Sequence, residues 1–262
     1  MKIAVYSNSR DADIAGAAIL REEILSNANA KIGFATGSSP VGIYKKLVED
    51  FNEGKISFKH ITAYNLDEYV GLSRNHPESF SFFMWEHLFK YLDIMPENIH
   101  IPAGDAISPE QEVIRYENLL REAGRLDIQI LGVGLNGHIG FNEPGSHLSQ
   151  ETHLVKLTDD TKAANEKWFK SWEDVPNYAI TIGLGTILKA KKIVFIACGK
   201  HKGAIIKEAF TGNLTTNCPA SLLQLHPDVT ILLDSDSAFE LTSGQKPLFL
   251  DIGAKRLEFT YF

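Results

Sequence analysis

Short runs rich in Val, Ile and Phe alternate along this chain with longer segments of helical period, and that alternation restricts its fold more than any single residue does. The runs Lys2–Tyr6, Lys31–Thr36, Ile61–Leu66, Asp127–Gly134, Lys192–Ala197 and Val229–Asp234 read as strands. Between them, Asp11–Asn27, Pro40–Asn52, Glu78–Phe89, Pro109–Gly124, Asp160–Lys170, Lys200–Gly212 and Ala220–Leu225 read as helices. Strands that are apolar throughout need cover on both faces, so the pattern predicts an open α/β sheet, mainly parallel, with helices on both faces. Ligands of such sheets collect where loops leave the carboxyl ends of the strands. With 262 residues, no internal repeat and no low-complexity linker, the chain is expected to form a single domain over residues 1–262. The segment Gly140–Thr158 is the least regular and is expected to be mobile or lid-like.

Composition narrows the classes of partner. Acidic residues outnumber basic ones 33 to 26, and no Lys/Arg block is long enough to track a phosphate backbone, so nucleic acid is not an expected partner. No run approaches the roughly 18 apolar residues of a membrane span, and the opening stretch reads as a strand rather than a signal peptide. Cys198 and Cys218 sit in unlike contexts that suggest neither a disulfide framework nor a metal site. A reducing cytoplasm is the expected location.

Three loops carry the candidate chemistry. Thr36-Gly37-Ser38-Ser39-Pro40 follows a buried strand and precedes a helix that Pro40 can start, so backbone N–H groups and two hydroxyls converge as a phosphate site requires. The alternative is that Ser38 or Ser39 only caps the helix. Asp67 and Glu68 sit at the mouth of the third strand, where a partly desolvated Asp67 can act as a general base or merely cap a turn. The stretch Gly132–Gly145 contains a literal GxGxxG, but Pro144 and Gly145 break any helix there, which leaves dinucleotide binding a weak alternative. It gathers Asn136, His138 and Glu143, an imidazole with a carboxylate to orient it, unless His138 is simply structural. The remaining histidines form no metal-ligand cluster. Lys202, at a strand-to-helix junction, and Lys167 complete the set as cations for a bound anion.

In LDEYVGL (Leu66–Leu72), HPESF (His76–Phe80) and above all GVGLNGHIGFNEPGS (Gly132–Ser146), the chain closely resembles the glucosamine-6-phosphate deaminases. AITIGLGTIL (Ala179–Leu188) and GKHKGAIIKEAF (Gly199–Phe210) extend the likeness over nearly the whole length. The resemblance implies a Rossmann-like fold and hydrolytic deamination of glucosamine 6-phosphate to fructose 6-phosphate and ammonia, with no metal or organic cofactor. It further implies Asp67 as the enolising base, His138 as the ring-opening histidine and Glu143 as its orienting carboxylate. Gly37, Ser38, Ser39 and Lys202 fall on the phosphate side.

Two departures from the family pattern stand out. Asn136 replaces the Asp of many members and so cannot take a proton, and Lys167 replaces an Arg, keeping the charge without the bidentate fork. Where the allosteric branch carries basic residues after the NEP motif, this chain offers His153 and apolar residues, and it ends early, at Leu257–Phe262, without the helical extension of those members, with Tyr261 as the counterpart of their C-terminal aromatic. The expectation is therefore a non-allosteric monomer or small homo-oligomer. A 6-phosphogluconolactonase, an isomerase on the same fold and a non-catalytic sugar-phosphate sensor are the rival readings.

Overall fold

The computed structural model describes residues 1–242. The elements run β1 (Lys2–Tyr6), α1 (Ser9–Ser26), β2 (Lys31–Phe34), α2 (Val41–Asn52), β3 (Thr62–Asn65), β4 (Asp67–Tyr69), α3 (Phe80–His87) and β5 (Ile99–His100). They continue with α4 (Pro109–Ala123), β6 (Ile128–Leu131), β7 (His153–Lys156), α5 (Asp159–Glu166), β8 (Tyr178–Thr181), α6 (Leu184–Leu188), β9 (Lys192–Ala197), α7 (Gly203–Thr211) and β10 (Val229–Asp234). Seven strands form one sheet in the order β1-β10-β9-β6-β2-β3-β5, and every pairing in it is parallel.

The alternation of side chains along each strand divides the core in two. On β9, Val194 and Ile196 pack with Leu20 of α1 and Leu47 of α2, whereas Phe195 and Ala197 pack with Tyr116 of α4 and Ile206 of α7. Helices thus cover both faces, as the apolar runs required. Chain order reverses between β2 and β6: the strands that follow β2 extend to one side of it, and β6, β9 and β10 to the other. At such a reversal the loops leaving the two strands diverge and open a crevice.

The large sheet contains all six anticipated strands, with shorter ends for β2, β3 and β6. Pro40 is the residue before α2 rather than its first helical residue, and no side-chain cap bond is made there. The segment Ala220–Leu225 lies in a 3-10 helix spanning Pro219–Leu225. The larger departure is a second, three-stranded sheet, β4-β8-β7, antiparallel throughout. Within Gly140–Thr158, read as irregular, residues His153–Lys156 form strand β7.

Glu68 on β4 anchors this small sheet to the body. Its buried carboxylate accepts backbone N–H groups from Tyr69 at 2.9 Å and from Phe80 and Ser81, at the start of α3, at 2.8 Å each. Tyr69 packs nearby at a tilt against Phe80 and Phe141, with ring centroids 4.7 and 5.6 Å away. Removing an acceptor that satisfies several buried donors leaves each exposed to its desolvation penalty, so Glu68→Ala should cost about 2 kcal/mol or more in a urea unfolding experiment. A loss under about 0.5 kcal/mol would show that the carboxylate does not hold α3.

Candidate active site

The loops after β2 and β6 meet at the chain reversal. Gly37 takes φ of +91°, a left-handed conformation that glycine adopts without strain, and turns the loop toward the crevice. Tyr44 of α2 holds the turn from below, donating to Ala35 O at 2.5 Å and accepting from Ala35 N at 3.2 Å. Ser39 abuts Gly132 across the crevice, where a Cβ on the glycine would lie 3.5 Å from that of the serine.

A cavity of about 160 Å³ opens here, lined by Ser9, Asp13, Ser38, Ser39, Cys198, His201 and Lys202. The turn bearing Lys202 is set by Asp234 at the end of β10, whose carboxylate accepts from Gly199 N at 3.0 Å and Ser237 N at 2.9 Å. Lys202 Nζ then reaches across to Val133 O at 2.7 Å, tying the loop after β9 to the loop after β6. Burial, followed by the positive charge of Lys167, pulls the Lys202 ammonium below its ordinary range. A half-buried ammonium that lines a cavity is suited to an anion that neutralises it. Lys167, just beyond α5, lies over the neighbouring Trp168 ring at 5.2 Å.

Farther along the loop after β6, Glu143 gathers several polar partners. Its Oε2 accepts from Asn136 Nδ2 at 2.8 Å and lies 3.4 Å from His138 Nδ1, while Oε1 accepts from Thr161 Oγ1 at 2.5 Å. Burial pushes its pKa up, but His138, Thr161 and Asn136 outweigh that and hold it below the ordinary carboxylate value. Asn136 Oδ1 also accepts the His138 backbone N–H at 3.2 Å, so the asparagine braces both members of the pair. No helix begins within residues 132–145, which removes the dinucleotide alternative.

Asp67 has the opposite environment. Its carboxyl is buried, Oδ1 has no hydrogen-bond partner among the described residues, and burial together with the charge of Glu68 pushes its pKa up to about 8. Burial likewise raises Glu68 to about 7, even though three backbone N–H groups oppose the rise. The adjacent carboxylates therefore divide the two readings: Glu68 anchors a helix start, and Asp67 is left free beside the crevice. Gly140 places the histidine loop against Asp67, since a Cβ there would sit 3.3 Å from Asp67 Oδ2.

Of the predicted residues, Ser38, Ser39 and Lys202 line the cavity, Asn136, His138 and Glu143 form one polar cluster, Asp67 abuts that loop at Gly140, and Lys167 is exposed at the end of α5. Sequence reasoning passed over Thr161 and Thr181. Neither belongs to a recognisable spacing, and each matters only through a partner distant in the chain.

Residues 11–232 match the family of glucosamine-6-phosphate isomerases and 6-phosphogluconolactonases. The chain belongs to this family. Among its relatives, a glucosamine-6-phosphate deaminase of Thermoanaerobacter pseudethanolicus is 48% identical over 238 residues, covering 91% of this chain and 94% of that protein. Glucosamine-6-phosphate deaminase 2 of Bacillus subtilis is 45% identical, with 93% and 99% coverage. In three dimensions the chain matches a monomeric glucosamine-6-phosphate deaminase with a TM-score of 0.89 at 40% identity, over 92% of this chain and all (100%) of that one. A 6-phosphogluconolactonase from Trypanosoma brucei shares the fold alone, with a TM-score of 0.72 at 20% identity and coverage of 91% and 98%.

Two outcomes follow from the site geometry. A Cβ at Gly134 would lie 2.4 Å from the His138 ring, so Gly134→Ala should displace the imidazole and lower family activity by about two orders of magnitude, roughly the contribution of a positioned acid–base group. Full activity in that variant would show that the ring position is not critical. The native state keeps a proton on Asp67 up to about pH 8, whereas the unfolded chain releases it in the ordinary aspartate range. Native stability must therefore fall as pH rises between those limits. Asp67→Asn abolishes this dependence, so its melting temperature should gain on wild type between about pH 5 and about pH 9. An unchanged difference at the two pH values would contradict the elevated pKa.

Proposed function

We propose that this chain is a glucosamine-6-phosphate deaminase, converting glucosamine 6-phosphate and water to fructose 6-phosphate and ammonia in amino-sugar catabolism. The observation that carries the reading is the placement, around one crevice, of an unpartnered buried carboxyl and of a histidine whose Nδ1 lies 3.4 Å from a carboxylate, beside a polar cavity that holds Lys202. The deaminase relatives, at 40–48% identity, support it over the lactonase reading, whose neighbour shares only the fold at 20%.

The phosphate binds at the cavity end, against the Gly37–Ser39 backbone, Ser38, Ser39 and Lys202, with Lys167 adding charge. Anchoring one end of the sugar supplies the orientation that lets a single carboxylate suffice. His138, held by Glu143, moves the proton between the ring oxygen and the anomeric hydroxyl that opens the pyranose. Asp67 then takes the proton from carbon 2 and delivers it to carbon 1. The enolamine formed when carbon 2 loses its proton becomes a ketimine when carbon 1 gains it, and the ketimine adds water and expels ammonia. Asn136 takes no proton in this scheme and keeps Glu143 and the imidazole aligned.

The base must be ionised to act, and the substrate's amino group provides the means. A cationic ammonium bound beside Asp67 favours the carboxylate, so its pKa falls in the complex. The acid limb of kcat/KM, which reports the free enzyme, should then lie at higher pH than the acid limb of kcat. Coincident limbs would exclude Asp67 as the titrating group. Supplying glucosamine 6-phosphate and 6-phosphogluconolactone separately tests the reaction, with ammonium and fructose 6-phosphate expected from the first and no acid release from the second. Lys202→Ala should raise KM about ten- to a hundred-fold, the loss expected for a charge-assisted bond. Comparable turnover of unphosphorylated glucosamine would argue against an anchoring phosphate site.

No described helix is long and apolar enough to cross a membrane. A cytoplasmic enzyme acting as a monomer or small oligomer fits the kinship with a monomeric deaminase. The second cavity, of about 250 Å³ behind Glu143, is lined by residues including His147, His153 and Val155 but by no Lys or Arg. Burial holds His153 below the ordinary histidine range, so it supplies no permanent charge for a second phosphate. This supports hyperbolic kinetics without activation by N-acetylglucosamine 6-phosphate. Tyr261 and the C-terminal residues Leu257–Phe262 lie outside the described residues.

A further inference from the structure

The partners of Glu143 differ in where they come from. Asn136 and His138 belong to the same loop as Glu143 itself, so they move with it. Thr161 alone among its hydrogen-bond partners comes from another element, the first turn of α5, and its hydroxyl donates to Glu143 Oε1 at 2.5 Å. The residue is 2% exposed, so water cannot replace it. Its own position is over-determined: Thr161 N donates to Thr158 Oγ1 at 3.2 Å, and Thr161 O accepts from Asn165 Nδ2 at 3.0 Å. The next residue, Lys162, is held by Asn177 Oδ1 at 2.9 Å and lies over the Trp172 ring at 4.8 Å. The helix therefore presents one hydroxyl to one carboxylate oxygen from a fixed mount, and the same helix leads directly into Lys167.

We propose that Thr161 is a positioning residue, which orients Glu143 from outside the loop and so aligns His138 for opening the sugar ring. A carboxylate with both oxygens engaged cannot rotate, and His138 Nδ1, at 3.4 Å, lies where a small rotation would decide whether the contact closes. The titratable groups around Glu143 are His138 on its own loop and His147 and His153 beside the cavity behind it. The proposal rests on the deaminase reading.

The test uses Thr161→Val, which keeps the shape but removes the donor, and Thr161→Ser, which keeps the donor, each assayed on glucosamine 6-phosphate across pH. Thr161→Val should lower kcat by about ten-fold or more, the weight of one hydrogen bond to a charged group, while leaving KM within about three-fold. The acid limb of kcat/KM, which Asp67 sets, should stay where it is in wild type, because the lost hydroxyl touches Glu143 and not Asp67. Thr161→Ser should retain wild-type kinetics within about two-fold, the hydroxyl being sufficient. Should Thr161→Val fail to fold, Thr161→Ala removes the same donor without adding bulk. Wild-type kcat, or a displaced acid limb, in the donor-less variant overturns the proposal, as does an equal loss in Thr161→Ser. If wild type itself releases no ammonia, the deaminase reading falls first, and the two failures are distinguishable.

Discussion

Everything at the crevice hangs on the end of β8. Asp67 stands opposite Thr181 in the β4–β8 pairing, and Ile182 N donates to Leu66 O at 2.8 Å, so main-chain bonds to one strand end fix the position of Asp67. The same two residues hold the histidine loop, for Thr181 Oγ1 accepts from Phe141 N at 3.2 Å and Ile182 O accepts from Asn142 Nδ2 at 2.9 Å. Thr181 and Asn142 are buried, where an unmade hydrogen bond costs its full desolvation and water offers no substitute. One strand end thus sets the distance between Asp67 and the loop that carries His138 and Glu143.

Environment then assigns different work to similar groups. Asp67 and Glu143 are both largely buried carboxyls, yet one is left without a partner on Oδ1 and the other is saturated with donors. Burial raises the first, while hydrogen bonds and the imidazole lower the second, and that divergence separates a group able to exchange protons from one that stays charged and orients. At the far end of the crevice, burial and, after it, the charge of Lys167 lower the Lys202 ammonium below its ordinary range. The family's fold is shared with lactonases, so specificity resides in these local environments and not in the sheet.

Six of the seven strands of the large sheet were legible in the sequence because they lie in apolar runs between periodic helices, signals that depend on local composition, whereas β5, only Ile99–His100, was not. The loops Thr36–Pro40 and Gly132–Gly145 were legible as well, since glycine, proline and clustered polar residues mark turns at strand ends. The small sheet was not. β4 is three residues long, β7 is partly exposed, and β8 pairs with Asp67–Tyr69 from more than a hundred residues earlier in the chain, as the Asp67↔Thr181 register shows. Segments so short have no period to read, and their partners are chosen by tertiary packing.

What the sequence determined alone was therefore the α/β class, the crevice at the carboxyl ends of the strands and the residue types available there. It named Asp67 as the candidate base but could not show that the neighbouring acid, Glu68, would be tied up elsewhere. The tertiary structure decided by bringing the start of α3 to Glu68 and leaving Asp67 Oδ1 unpartnered. Nor could it couple Thr161 to Glu143, or Thr181 to the histidine loop. Hydrogen bonds between distant segments depend on ångström-scale placement, which arises only after the hydrophobic faces of both sheets have been buried.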